Sequence, residues 1–206
     1  MGAVNATRAI ATAIGIRVHS GWGALVAICG NGGDVQVIER RRVVIIDTKD
    51  RGAAQPYHFV EELEIGEAQQ YIAHCSAQSR KLALAAIRDM CSRLSHGHYR
   101  VVGAAILLSS ARPLPELEKI LASHAMIHAA EGEFFRQSFR EACREMKIPV
   151  TGIRERELDD RARSALGKSA TSLKDKIASL GKSLGPPWTT DQKTAALAAA
   201  LVLGRA

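Results

Sequence analysis

The sequence predicts an α/β domain in which an antiparallel meander feeds into alternating helices and parallel strands flanked by helices. Three observations predict it. Short apolar and β-branched runs around Gly-rich turns fill the stretch up to Ile46, two long segments keep an apolar period near 3.6, and the continuously apolar run Val101 to Leu108 separates them. The 206 residues suffice for one large domain with a real core.

The elements follow in order. Residues 1–13 read as a flexible tail. From Ile14 to Cys29 the residues Ile16, Val18, Leu25, Val26 and Ile28 predict extended chain, with Gly21, Trp22 and Gly23 at a bend. Asn31, Gly32, Gly33 and Asp34 predict a hairpin turn, and Val35, Val37 and Val43 to Ile46 one or two further antiparallel strands. Asp47 to Tyr57 reads as a loop. Tyr71, Cys75, Leu82, Ala86, Met90 and Leu94 place a long amphipathic helix over about Ile65 to Leu94. Val101 to Leu108 is a central strand covered on both faces, stopped by Pro113 and Pro115. One helix is expected from about Glu116 to Met146, on the period of Leu117, Ile120, Ile127, Phe135, Phe139 and Cys143. Lys147 to Ile153 reads as a short strand whose position between helices favours parallel pairing. Two helical stretches occupy Arg156 to Leu184, Gly185 to Pro187 end them, and Thr190 or Asp191 caps a last helix.

Composition narrows the function classes. Aromatics make up only 4% of a chain that is 47% apolar, so the core is built from small aliphatic side chains and its helices approach closely. The net charge of +7 favours anionic partners such as DNA or RNA. The 4 cysteines are widely spaced without a CxxC pair and read as reduced core residues. No signal-peptide succession is visible, and the closing run Thr194 to Leu203 is shorter than the roughly 20 apolar residues a bilayer span takes. A soluble, cytoplasmic protein with no membrane partner is the expectation. Gly30, Gly32 and Gly33 lead from strand to strand, which disfavours a phosphate cradle for ATP or a dinucleotide.

Candidate chemistry sits in a few places. His124, His128 and Glu131 fall at i, i+4 and i+7 and project from one helix face, a spacing suited to a divalent metal. Ala125 stands where a zincin would carry Glu, and the same histidines also suit a hydrogen-bonded packing role. Glu133 and Arg136 adjoin this face, and Glu133 followed by Gln137 and Arg140 reads as an exposed side making helical pairs. His19, Ser20, Gly21 and Trp22 form a cluster at the bend, either a site element or a core anchor. Arg40, Arg41 and Arg42, with the cations of the C-terminal third, offer phosphate contacts. Interleaved Glu155, Glu157, Asp159 and Asp160 fit a solvated mixed-charge surface instead. The scarcity of aromatics argues against single-strand stacking.

The strand Val101 to Leu108, the helix ending in Glu141 to Lys147, the strand Pro149 to Ile153, and LKDKIASLGKSLG followed by TTDQKTAALAAALVL together resemble the ribonuclease H-like superfamily, closest in pattern to RuvC-type Holliday-junction resolvases. The resemblance spans Ile14 onward and implies a ribonuclease H-like mixed sheet. It also implies a cluster of carboxylates around two magnesium or manganese ions that hydrolyse a phosphodiester. Asp191 matches the acidic position at the start of the last helix. Arg17 and His19 stand where the first strand would carry Asp, and Leu107 to Ser110 where the central strand would carry Glu.

Three readings are therefore carried forward. The first is a ribonuclease H-like protein with a degenerate two-metal site that associates with nucleic acid or another partner. The second is a metal-dependent hydrolase or nuclease, with a divalent ion (Mg, Mn or Zn) held by His124, His128, Glu131 and Asp191, and with His19, Glu131 and Asp191 in catalytic roles. The third is a homo-oligomer joined through the Ala-rich last helix, against burial of that helix in its own domain.

Overall fold

The computed structural model describes residues 9–31, 34–109 and 113–204. A five-stranded sheet is built from β1 (Ile10–His19), β2 (Trp22–Asn31), β3 (Asp34–Val44), β4 (Tyr99–Leu108) and β5 (Val150–Arg154), in the spatial order β3-β2-β1-β4-β5. β1, β2 and β3 pair antiparallel as a meander, whereas β1 with β4 and β4 with β5 pair parallel. This is the mixed sheet that the apolar patterning predicts. β1 starts at Ile10, so residues 10–13 belong to the sheet and not to a tail; Thr12 and Ala13 are fully buried. Gly32 and Gly33 of the expected hairpin turn lie outside the described residues, and Asn31 and Asp34 pair as the strand ends that flank it. β3 is one strand of 11 residues, with a register shift opposite Ala27 and Ile28, because the charged stretch Glu39 to Arg42 continues the ladder.

Strand alternation sorts the core into two layers. On one face Ile14, Ile16, Leu25, Ala27, Ala104 and Ile106 pack against α2 (Ile65–His96) and α4 (His124–Glu145) through Ile87, Met90, Phe135 and Phe139. On the other, Ala13, Val26, Ile28, Ala105, Leu107 and Ile153 meet α5 (Leu158–Leu166), α6 (Ser169–Ser179) and α8 (Thr190–Leu203). A 3-10 turn, Glu155–Glu157, leads into α5, and a four-residue helix, α7 (Gly181–Leu184), follows α6.

Two helices differ from the expectation. The single helix expected over Glu116 to Met146 is α3 (Leu117–Leu121) and α4, separated at Ala122 and Ser123, where Ser123 adopts extended backbone. α1 (Pro56–Phe59) begins inside the stretch read as a loop and runs two residues past it, with Pro56 in its first turn. α8 begins one residue after its true cap. Thr189, not Thr190 or Asp191, accepts from Gln192 N–H at 3.4 Å, while Gln192 Oε1 accepts from Thr189 N–H at 3.0 Å. Thr189→Ala is expected to cost about 1 kcal/mol, read as a lower urea midpoint with an unchanged slope.

α8 is buried nearly all round by its own chain. Ala195, Ala196, Ala198 and Ala199 are fully buried against β1, β2 and β4. The close approach needs Gly15, because a Cβ there would lie 1.8 Å from the carbonyl oxygen of Ala195. The Ala-rich surface that suggested oligomerisation is therefore covered within the chain.

The arginine run is occupied structurally. Arg40 donates to the carbonyls of Leu184 (2.7 Å), Gly185 (3.0 Å) and Pro187 (2.6 Å), tying β3 to the segment before α8. Arg41 pairs with Glu39 and with Asp89, and Arg42 lies 3.9 Å over the ring of Trp22. In the C-terminal third Arg154 and Arg161 pair with Glu157, Arg163 with Asp160, Lys174 with Asp159 and Lys176 with Asp34. All four cysteines are free thiols, and Cys29, Cys75 and Cys143 are buried. Among the described residues no helix is long and apolar enough to cross a membrane.

Candidate functional site

Because β1, β4 and β5 run parallel, their carboxyl ends share one edge of the sheet, the edge at which open α/β sheets place ligands. The first turn of α8 meets β1 there. The period-2 alternation that sends Ile14, Ile16 and Val18 toward α2 and α4 sends Gly15, Arg17 and His19 toward α8. Arg17 Nη1 donates to Asp191 Oδ1 at 2.5 Å and Arg17 Nη2 to Glu155 Oε1 at 2.6 Å, so one guanidinium bridges two carboxylates. Arg17 and Asp191 are each about one-quarter exposed or less (21% and 24%), so the pair is strengthened by partial exclusion of water. His19 Nε2 lies 3.1 Å from the same Asp191 oxygen but is not aligned for a hydrogen bond. Its ring stacks on Trp22 at a centroid separation of 4.2 Å and an interplanar angle of 10°. Half-buried between His19 and Arg42, Trp22 thus joins the site edge to the meander.

A second arginine holds the end of β4. Arg136 is half-buried, and its Nε donates to the carbonyl of Leu107 at 3.1 Å. Burial lowers its pKa, opposed by the nearby charges of Glu133 and Glu155. Its expected neighbours do pair along the helix: Arg140 donates to Glu133 at 2.9 Å and Gln137 to Glu141 at 2.7 Å. Beside this edge, Lys174, Lys193, Glu155 and Asp159 line a cavity of about 360 Å³ between α5, α6 and α8.

The expected metal ligands do not converge. Asp191 and His19 sit on the α8 face, whereas His124, His128 and Glu131 belong to α4 on the opposite face. The structure brings His124 and His128 together with His58 of α1. One ring nitrogen from each of the three lies within 4.8 Å of the others, and His124 Nε2 and His128 Nε2 are 3.0 Å apart. Glu131 is set behind them. Its Oε1 accepts from the backbone N–H of Tyr57 (2.8 Å) and of His58 (3.1 Å), and lies 3.3 Å from His58 Nδ1. Burial pushes its carboxyl pKa up, against the lowering effect of the hydrogen bonds from His58 and Tyr57.

Short-range packing holds α1 in this place. Tyr57 meets Phe134 edge to face at 6.1 Å, Phe59 lies 4.6 Å from Tyr71, and Ile120, Ile127 and Ala130 form a small apolar cluster with Tyr57. His58 is missing from the sequence candidates because it falls between the loop read over Asp47 to Tyr57 and the helix expected from Ile65, where no periodicity marks an element; Pro56 ahead of Tyr57 and Phe59 is a local hint of a helix start. Glu131→Ala removes the acceptor of two backbone donors and is expected to cost about 2–4 kcal/mol. Glu131→Gln keeps an acceptor oxygen and is expected to cost about 1 kcal/mol, and chemical denaturation separates the two.

The sheet order, the parallel and antiparallel pairing and the helices on both faces define a ribonuclease H-like fold. Among solved structures the chain is similar to RuvC of Thermus thermophilus in complex with a Holliday junction substrate, with a TM-score of 0.54 and 9% identity over 92% of this chain and 90% of that one. A second T. thermophilus RuvC structure matches with a TM-score of 0.52 and 10% identity over 92% and 91% of the two chains. No protein-family model and no curated protein sequence matches.

The sheet edge does not fit the pair of divalent ions that this fold implies. A guanidinium bridges Asp191 and Glu155 at the end of β1, and the side chains at the end of β4 are Leu107 and Leu108. A metal pair needs converging anionic oxygens, and here a fixed cation already neutralises them.

Proposed function

We propose that the chain is one ribonuclease H-like domain that associates with nucleic acid without cutting it, its nuclease centre replaced by an ion-paired cluster. The observation that carries this reading is the Arg17 guanidinium bridging Asp191 and Glu155 at the end of β1. The salt link ties that edge together and neutralises the two carboxylates that would otherwise be free to activate water.

Nucleic acid is supported by the net charge of +7 and by a fold shared with a protein solved on a Holliday junction. Exposed Arg156, which follows Glu155 and has no ion-pair partner among the described residues, and Lys193, two residues after Asp191, offer phosphate contacts near the same edge. Fluorescence anisotropy with duplex and four-way-junction DNA at rising salt tests the reading. Binding that weakens linearly on a log–log plot supports it, and no binding to either DNA or to RNA at low salt sinks it. The hydrolase reading, as one site built from His19, His124, His128, Glu131 and Asp191, loses its geometry because those residues lie on opposite faces of the sheet.

A further inference from the structure

We propose that His58, His124 and His128 form a mononuclear site for a zinc-type divalent ion, with Glu131 as the group that orients His58. The site is distinct from the ion-paired sheet edge and does not rest on the nucleic-acid reading.

The two elements that build it are fixed independently of any ligand. His124 and His128 are one helical turn apart on the first two turns of α4, so their rings rise from one face. α1 is pressed against α2 and α4 by Tyr57 and Phe59, which brings the His58 ring to 4.7 Å from that of His128 and 5.4 Å from that of His124. The 3.0 Å between His124 Nε2 and His128 Nε2 is close to the roughly 3.3 Å that two nitrogens keep when each is about 2.0 Å from a tetrahedral ion.

Glu131 is the second, independent observation. A carboxylate only 3% exposed is costly unless it does something. Here it accepts from both backbone donors at the start of α1 and faces His58 Nδ1. Acceptance from Nδ1–H leaves the lone pair on Nε2, the tautomer a metal needs, and makes that nitrogen more basic. Acceptance from the two backbone donors accounts for the place of Glu131, whereas its contact with His58 Nδ1 bears on the ring, and the exposed His124 and His128 are not placed by core packing.

The donor set decides the ion. Three neutral imidazoles suit zinc and its borderline neighbours, and they are poor ligands for magnesium, which wants oxygen. Three protein ligands leave a fourth position for solvent or an added ligand, the count found in catalytic rather than structural zinc sites. The ion held here therefore differs in kind from the magnesium or manganese pair of the nucleases that share the fold.

The 206-residue chain dialysed against zinc and measured by atomic emission is expected to retain one zinc per chain, undisturbed by excess magnesium. Cobalt loaded instead is expected to give the intense visible bands of a four-coordinate ion. His124→Ala/His128→Ala, at exposed positions the fold tolerates, is expected to keep its circular dichroism and lose the metal. Glu131→Gln is expected to fold and to bind zinc 10- to 100-fold more weakly, roughly the effect of removing an outer-sphere carboxylate. Wild-type protein that takes up no zinc, or a double variant that binds as tightly as wild type, overturns the site. Unchanged affinity in Glu131→Gln overturns the role given to that residue. DNA binding is expected to survive in the double variant, so the two proposals fail separately.

Discussion

Arg17→Asp is expected to lower stability by about 3 kcal/mol in the absence of metal and to recover much of that loss when magnesium is added. The substitution removes the cation that bridges Asp191 and Glu155 and puts a third carboxylate beside them. Loss of a partly buried ion pair accounts for about 2 kcal/mol of the cost and repulsion among the acids for the rest. For a chain of this size the thermal midpoint should fall by roughly 6–12 °C. Three converging carboxylates at the edge are also a set of hard oxygen donors, so magnesium bound to the folded state should raise the midpoint again. Magnesium is the right probe because it passes over the three histidines. Wild-type protein should show no magnesium-dependent shift. A variant as stable as wild type would mean that the Arg17 bridge contributes nothing. A destabilised variant indifferent to magnesium would mean that the edge cannot be turned back into a carboxylate site.

Gly15→Ala is expected to destabilise the protein by more than about 3 kcal/mol, and to do so without touching any polar group. A methyl at this position would sit 1.8 Å from the Ala195 carbonyl oxygen, and both partners are backbone, one in the central β1 and the other in α8. Neither can give way without lifting the helix from the sheet, which would open the layer formed by Ala13, Ala105, Ala196 and Ala199. Gly66→Ala is the matched control. Its added methyl meets nothing within 4 Å, and in the first turn of α2 it should be neutral or stabilising by roughly 0.5–1 kcal/mol. Urea unfolding of the pair reads the difference, and equal midpoints would contradict the tight seating of α8 on β1.

Most of the sheet was legible because its signals are local. Val101 to Leu108 had to be a doubly covered strand, and the period of Cys75, Met90 and Leu94 had to be a helix facing it. The capping box was also present in the letters, as Thr189-Thr190-Asp191-Gln192, once the Thr-x-x-Gln spacing is counted from the correct threonine. What stayed hidden depends on distant partners. The Arg40 to Arg42 run looks like a phosphate surface until Arg40 is seen bonded to carbonyls near position 185 and Arg42 over Trp22. Arg17 was visible as a charge in an apolar strand, but its carboxylates come from Glu155 and Asp191, and nothing near Arg17 in the chain announces them. His124 and His128 were read from their helical spacing, whereas the third histidine comes from a four-residue helix whose place is set by aromatic packing. Glu131 shared their face by arithmetic and lies behind them in space.

On the proposed reading, the Arg17 guanidinium that bridges Asp191 and Glu155 leaves the sheet edge unable to hold a metal pair that cuts a phosphodiester. Incubation of the wild-type protein with end-labelled four-way-junction and duplex DNA, in magnesium and then in manganese, tests that reading most directly when binding is followed in the same tubes. A salt-sensitive complex and uncut strands in both metals are expected. Strand cleavage that needs the metal and disappears in Asp191→Asn would contradict it.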